Sequence, residues 1–300
     1  MNQDIIKLAR NLFFDRAIGS DKKEYYVPTY QSQIDELRDE IYYSEIESQC
    51  FYVAGQSGAG KTTALNFLPN EDILEKFVPI YINYRDLLAF DDADIIDVLL
   101  MFAYKFTEKD EKLRKKFHAE IQKIDKTHKK TLETKEEQQK GKSTVTGGDG
   151  KFGASFSFWN FFKLSTDFFA AFRMDKQVRN TTREFFTFKK IDLLNLVNTI
   201  IAKWYELYGT SKKLIVFFDD FDKLRNFGQI HSIFVDNRSF IEQIDCKKVI
   251  SIPVHLATNT GFNLPSTKLI MFSIKFKVNP LTTVSYTHLR AHETVLDLVC

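Results

Sequence analysis

The sequence predicts an α/β protein, a parallel sheet with helices on both faces. Three observations lead there. CFYVA at 50–54, VPIYI at 78–82 and LIVFF at 214–218 are short, continuously apolar runs, the pattern of strands buried on both sides. Stretches with helical spacing separate them, and strands alternating with helices close a parallel sheet. A glycine-rich loop follows the first run at once and leads into a helix.

In chain order, residues 1–14 read as a short amphipathic helix and 31–43 as a second, with Ile34, Leu37 and Ile41 on one face. After the strand at 50–54 and its loop, a helix runs through Leu68. The strand at 78–82 precedes a strongly apolar helix at 95–106. From 105 to 142 Lys and Glu dominate at helical spacing, the pattern of a solvated, charged helical arm. TGGDG at 146–150 breaks the chain, and a phenylalanine-dense stretch fills 151–172. A helix at 191–208 leads to LIVFF, and further strands are predicted at 248–254 and 268–278. No internal repeat is evident.

Composition narrows the class. The 300 residues are 44% hydrophobic and 27% charged, ordinary for a globular chain, and suffice for one large domain or two small ones. A formal net charge of +2 gives no global attraction for nucleic acid or an anionic membrane. Cys50, Cys246 and Cys300 form neither an even framework nor a Cys-x-x-Cys pair, which suits a reducing cytosol. The start, MNQDIIKLAR, lacks a secretion signal, and no run reaches the roughly 18 apolar residues of a membrane span. A cytoplasmic protein is expected.

Gly55-Gln56-Ser57-Gly58-Ala59-Gly60-Lys61-Thr62 fits G-x-x-x-x-G-K-[ST] at every position, with Thr63 beside it. Glycines there let successive backbone N–H groups point inward and cradle phosphate at the start of a helix. Lys61 supplies a charge to the β- and γ-phosphates, and the Thr62 hydroxyl is a ligand for Mg²⁺. The complementary half is expected where LIVFF ends in Asp219-Asp220. Asp219 would hold the Mg²⁺ through water, and Asp220 would orient or deprotonate the attacking water. Asp222 is placed to support that pair. The competing reading is that these carboxylates only cap a strand end in a turn. No Asn-Lys-x-Asp guanine reader is present, so ATP is expected rather than GTP; a transporter signature, Leu-Ser-Gly-Gly-Gln, is also missing.

Ser251, in KKVISIPVHL, is a candidate γ-phosphate sensor or a strand serine bonded to backbone. Arg225, Arg179 and Arg183 are candidates for stabilising transition-state charge, against a surface role for each.

GQSGAGKTT followed by LIVFFDDFDKL resembles the P-loop ATPases of the AAA-like and STAND class, prokaryotic signalling switches related to origin-recognition ATPases. VPIYINYRDLLAFDDADIIDVLLMFAYKF and VISIPVHL resemble one bacterial branch, and YYVPT is similar to its segment near the adenine. The resemblance spans about 25–278. It implies an additional-strand P-loop NTPase fold at 45–282 with an insert at about 107–190, after an N-terminal helical segment at 1–44. It also implies an ATP- and Mg²⁺-driven conformational switch in bacterial signalling or defence, followed by an effector or sensor module. Open alternatives are an initiator-like DNA-binding ATPase, a membrane-associated P-loop protein and a nucleotide-binding scaffold without turnover.

Three readings remain for the Phe-rich insert: core packing, a self-association or partner contact, and membrane association. The closing stretch, 284–300, holds His288, His292 and Glu293, but in the wrong order for a His-Glu-x-x-His zinc helix. VSYTHLRAHET and DLVC instead resemble translated sequencing-adapter DNA. Residues 283–300 are therefore expected to be a non-native tail, leaving Cys300 outside the functional inventory.

Overall fold

A computed structural model describes residues 30–56, 58–84, 92–108, 110–139, 158, 162, 168–258 and 268–272. The expected helix at 1–14, the end of the strand predicted to reach 278 and the tail at 283–300 lie outside these.

The described residues form an α/β structure around a five-stranded parallel sheet. In order come α1 (Gln31–Tyr43), β1 (Cys50–Gly55), α2 (Lys61–Phe67), α3 (Glu71–Lys76), β2 (Phe77–Asn83) and α4 (Ile95–Thr107). Next are α5 (Glu111–Gln139), α6 (Phe168–Met174), α7 (Lys176–Phe186), α8 (Lys190–Tyr208) and β3 (Lys213–Asp219). The last are α9 (Phe227–His231), α10 (Arg238–Glu242), β4 (Lys247–Ile252), α11 (Val254–Thr258) and β5 (Lys268–Phe272). A 3₁₀ turn, Phe221–Lys223, follows β3, and a π-helical turn, Ser232–Asp236, joins α9 to α10.

The sheet order is β2-β3-β4-β1-β5, every pairing parallel. All strands therefore end at one edge, and β4 lies between β1 and β3. Ser251 pairs with Val53 on one side, and Phe218 pairs with Ile250 on the other.

Strand side chains alternate between two apolar layers, which is why these strands are hydrophobic throughout. Phe51, Val53, Ile215, Phe217 and Val249 face a layer with Ile34, Leu37 and Ile41 of α1, Ala64 and Leu65 of α2 and Ile73 of α3. Cys50, Tyr52, Ala54, Leu214, Val216, Phe218 and Ile250 face the larger layer, built on α4, α8 and the insert. Helix α1 thus belongs to the same core as the sheet.

The charged arm differs from the expectation of a solvated helix. Its first half buries Leu113, Phe117 and Ile121, whose four-residue spacing makes a narrow apolar seam that the surrounding Lys and Glu obscure in sequence. The insert's described phenylalanines join that seam. Phe158 stacks on Phe185 at 4.1 Å between ring centres, Phe162 lies 4.5 Å from Phe168, and all four are buried. No described helix is long and apolar enough to cross a membrane.

Candidate functional site

The site forms where β1, β4 and β3 end. After Gly55, the loop turns through Gly58 at φ 77° and Gly60 at φ 88°. Both lie in the left-handed region that side chains disfavour, so the glycines are required by the backbone. A Cβ on Gly60 would meet Tyr30 only at 3.7 Å, an ordinary contact, so conformation rather than space sets that position. Gly60 caps α2, which presents Lys61 and Thr62. Arg38 of α1 donates to the carbonyls of Phe67 at 2.6 Å and Leu68 at 2.7 Å, fastening the far end of α2.

Lys61 points back across the loop. Its Nζ donates to Gly55 O and Gln56 O at 2.9 Å each and lies 2.8 Å from Asp222 Oδ2. The Lys61 and Asp222 side chains are only 4% and 6% exposed. Ser57 lies outside the described residues; Gln56 is exposed, and Thr63 is half-buried.

The β3 tip supplies the acids. Asp219 Oδ1 accepts from the Asp220 N–H at 2.8 Å, and Oδ2 is buried with no hydrogen-bond partner among the described residues. Burial pushes the Asp219 carboxyl above the usual range, while the Thr62 side chain and the Asp220 N–H pull it back. The two halves predicted separately, Thr62 and Asp219, are thus brought near enough for the threonine side chain to act on the carboxyl. Asp220 takes φ 71°, and its carboxylate is paired with Lys223. Oxygens of Asp219, Asp220 and Asp222 come within 4.8 Å of one another.

Ser251 sits at the end of β4, between the loop strand and the acid strand. Its Oγ donates to Asp222 Oδ1 at 3.3 Å, so its described partner is a carboxylate rather than backbone. Asp222, expected to support the aspartate pair, lies in the same cluster and also bridges Lys61 and Ser251. Lys61 and Asp222 are 161 residues apart, and no local sequence signal links them.

Two of the candidate arginines, Arg179 and Arg183, are engaged by carboxylates at the start of α4. Arg183 Nε donates to Asp97 Oδ1 at 3.0 Å, its Nη1 pairs with Asp92, and Arg179 Nε reaches Asp92 Oδ2 at 3.3 Å. Both arginines are thus engaged in fixing α7 to the start of α4, with Arg179 buried. Arg225 is exposed. The acidic DADIID stretch is explained in the same place: Asp94 caps α4, and Asp97 returns the bond to the Asp94 N–H at 2.9 Å.

The residues fit a metal-bound polyphosphate. A buried carboxylate oxygen without a partner among the described residues, a threonine side chain near that carboxyl and a lysine next to left-handed glycines make a donor set for a hard divalent cation and its phosphates. No family model and no curated protein matches the chain.

Proposed function

We propose that the chain is a P-loop ATPase in which Mg·ATP binds across β1, β4 and β3 and is hydrolysed to drive a conformational switch. The observation that carries this reading is the acid cluster at the β3 tip beside the loop lysine: Asp219 Oδ2 is buried without a partner among the described residues, and Asp222 of the same cluster pairs with Lys61. A lone glycine-rich turn would not need an acid there.

The topology supports the additional-strand class. Neighbouring strands lie about 4.8 Å apart, so one intervening strand separates the β1 and β3 axes by roughly 10 Å. A phosphate and its metal ion would be held between the loop after β1 and the acids at the tip of β3, near Ser251.

Each residue then has a role. The loop N–H groups and Lys61 bind the phosphates, Thr62 and Asp219 hold the cation, and Asp220 orients the water and receives its proton. Bound Mg·ATP supplies the electrophilic phosphorus and the divalent charge. The base preference for adenine rests on the lack of a guanine-reading motif. The switch role, in signalling or defence, rests on the resemblance to AAA-like and STAND ATPases.

Phosphate release from Mg·ATP by wild type and Asp220→Asn tests the reading. Wild type is expected to turn over, and Asp220→Asn to bind ATP while losing activity by about 100-fold or more. ATP binding without turnover in wild type would instead make the protein a nucleotide-gated scaffold.

A further inference from the structure

Resting on the nucleotide reading above, we propose that Asp222 is an internal anion that an incoming phosphate must displace from Lys61, so that nucleotide binding is coupled to the turn after β3.

A lysine ammonium has three N–H donors. Lys61 Nζ has three acceptors: Gly55 O, Gln56 O and Asp222 Oδ2, at 2.9, 2.9 and 2.8 Å. Its donor capacity is full, and a phosphate oxygen can be added only by replacing one of them. Two are backbone carbonyls of the loop that would cradle the phosphate. The third is a side chain, and it carries the charge that phosphate would duplicate.

Asp222 is held there by more than Lys61. Ser251 Oγ donates to its other oxygen at 3.3 Å, and the side chains of both Asp222 and Lys61 are almost fully buried, where a charge-assisted bond is strong. Asp222 also stands among like charges, within 4.8 Å of Asp219 and Asp220 oxygens. Lys61 offsets that repulsion. Once a phosphate takes Lys61, Asp222 faces the phosphate and two carboxylates with Ser251 as its remaining described donor, and it is driven outward.

The element that must respond is small. Asp222 lies in the 3₁₀ turn Phe221–Lys223, entered through the left-handed Asp220. Phe221 anchors the turn in the core, with ring centres 5.0 Å from Tyr84 and 5.4 Å from Phe234. Tyr84 directly follows β2, and Phe234 lies in the π-helical turn, so a shift at Asp222 would reach both through Phe221.

Calorimetric titration with ADP in EDTA tests this, because the metal then plays no part. Wild type, Asp222→Asn, Ser251→Ala and Asp220→Asn are compared. Asp222→Asn should bind ADP about tenfold tighter than wild type or better, since a charge-assisted bond no longer competes. Ser251→Ala should tighten binding severalfold, and Asp220→Asn, whose carboxylate is paired with Lys223, much less than Asp222→Asn. Damage to the fold would weaken binding, so a gain cannot arise from it. ADP affinity in Asp222→Asn equal to or below that of a binding wild type overturns the proposal alone, as does an equal gain in Asp220→Asn. Should Asp222→Asn fail to fold, unchanged affinity in folded Ser251→Ala overturns it. Lack of binding by every variant, with Mg²⁺ or without, overturns the nucleotide reading as well.

Discussion

Asp219 Oδ2 is buried without a hydrogen-bond partner among the described residues, and Asp220 and Asp222 add like charge beside it. An unsatisfied buried acceptor costs about 1–3 kcal/mol. On the proposed reading that cost is the counterpart of affinity for a cation, so function and stability would pull in opposite directions at Asp219. Asp219→Asn is therefore expected to raise unfolding stability in EDTA by roughly 1 kcal/mol while abolishing Mg²⁺-dependent phosphate release. Urea denaturation checks the first part, and a variant less stable than wild type would contradict it. At this scale much was legible. Gly58, Gly60, Lys61, Thr62, Asp219 and Asp220 carry their chemistry in local spacing. The Asp222–Lys61 pair did not, because it depends on how β3 and β1 are brought to one edge.

The joint between α4 and α7 is the clearest case at the scale of elements. Asp97 caps α4 and also accepts from Arg183, so one carboxylate serves a helix start and a contact 86 residues away. Burial pushes Asp97 up to about 6 from a usual value of 3.8, while Arg183 draws it back down. An acid with a raised folded pKa binds more protons folded than unfolded between those two values. Its contribution to stability therefore falls as pH rises from about 4 to about 6 and is constant above that. Asp97→Asn should lack this component, making the stability difference between variant and wild type change across that window and flatten above it. Denaturation midpoints at pH 4.5, 5.5 and 7 measure it, and a difference independent of pH would contradict the assignment. Helix positions were largely legible from periodicity: 95–106 and 191–208 correspond to α4 and α8 within one residue at each end. The buried seam of α5 was hidden because Leu113, Phe117 and Ile121 are too few among charges to mark a core face. The π-helical turn at Ser232–Asp236 has no periodic signature of its own.

For the whole molecule, the sheet order matters most. Parallel strands were foreseeable from their uniform hydrophobicity, but the placement of β4 between β1 and β3 depends on long-range pairing that local patterns do not encode. That order sets Lys61 and Thr62 on one side of Ser251 and Asp219 on the other, with two apolar layers holding the strand ends in register. A cradle so supported should bind nucleotide through the loop lysine and the acid-held cation together. The direct measurement is calorimetric titration of Mg·ATP into wild type and Lys61→Ala, with and without EDTA. Wild type should bind at about micromolar Kd with Mg²⁺ and more weakly in EDTA, and Lys61→Ala should lose about 100-fold or more. Failure of wild type to bind, or equal affinity in folded Lys61→Ala, would contradict the account.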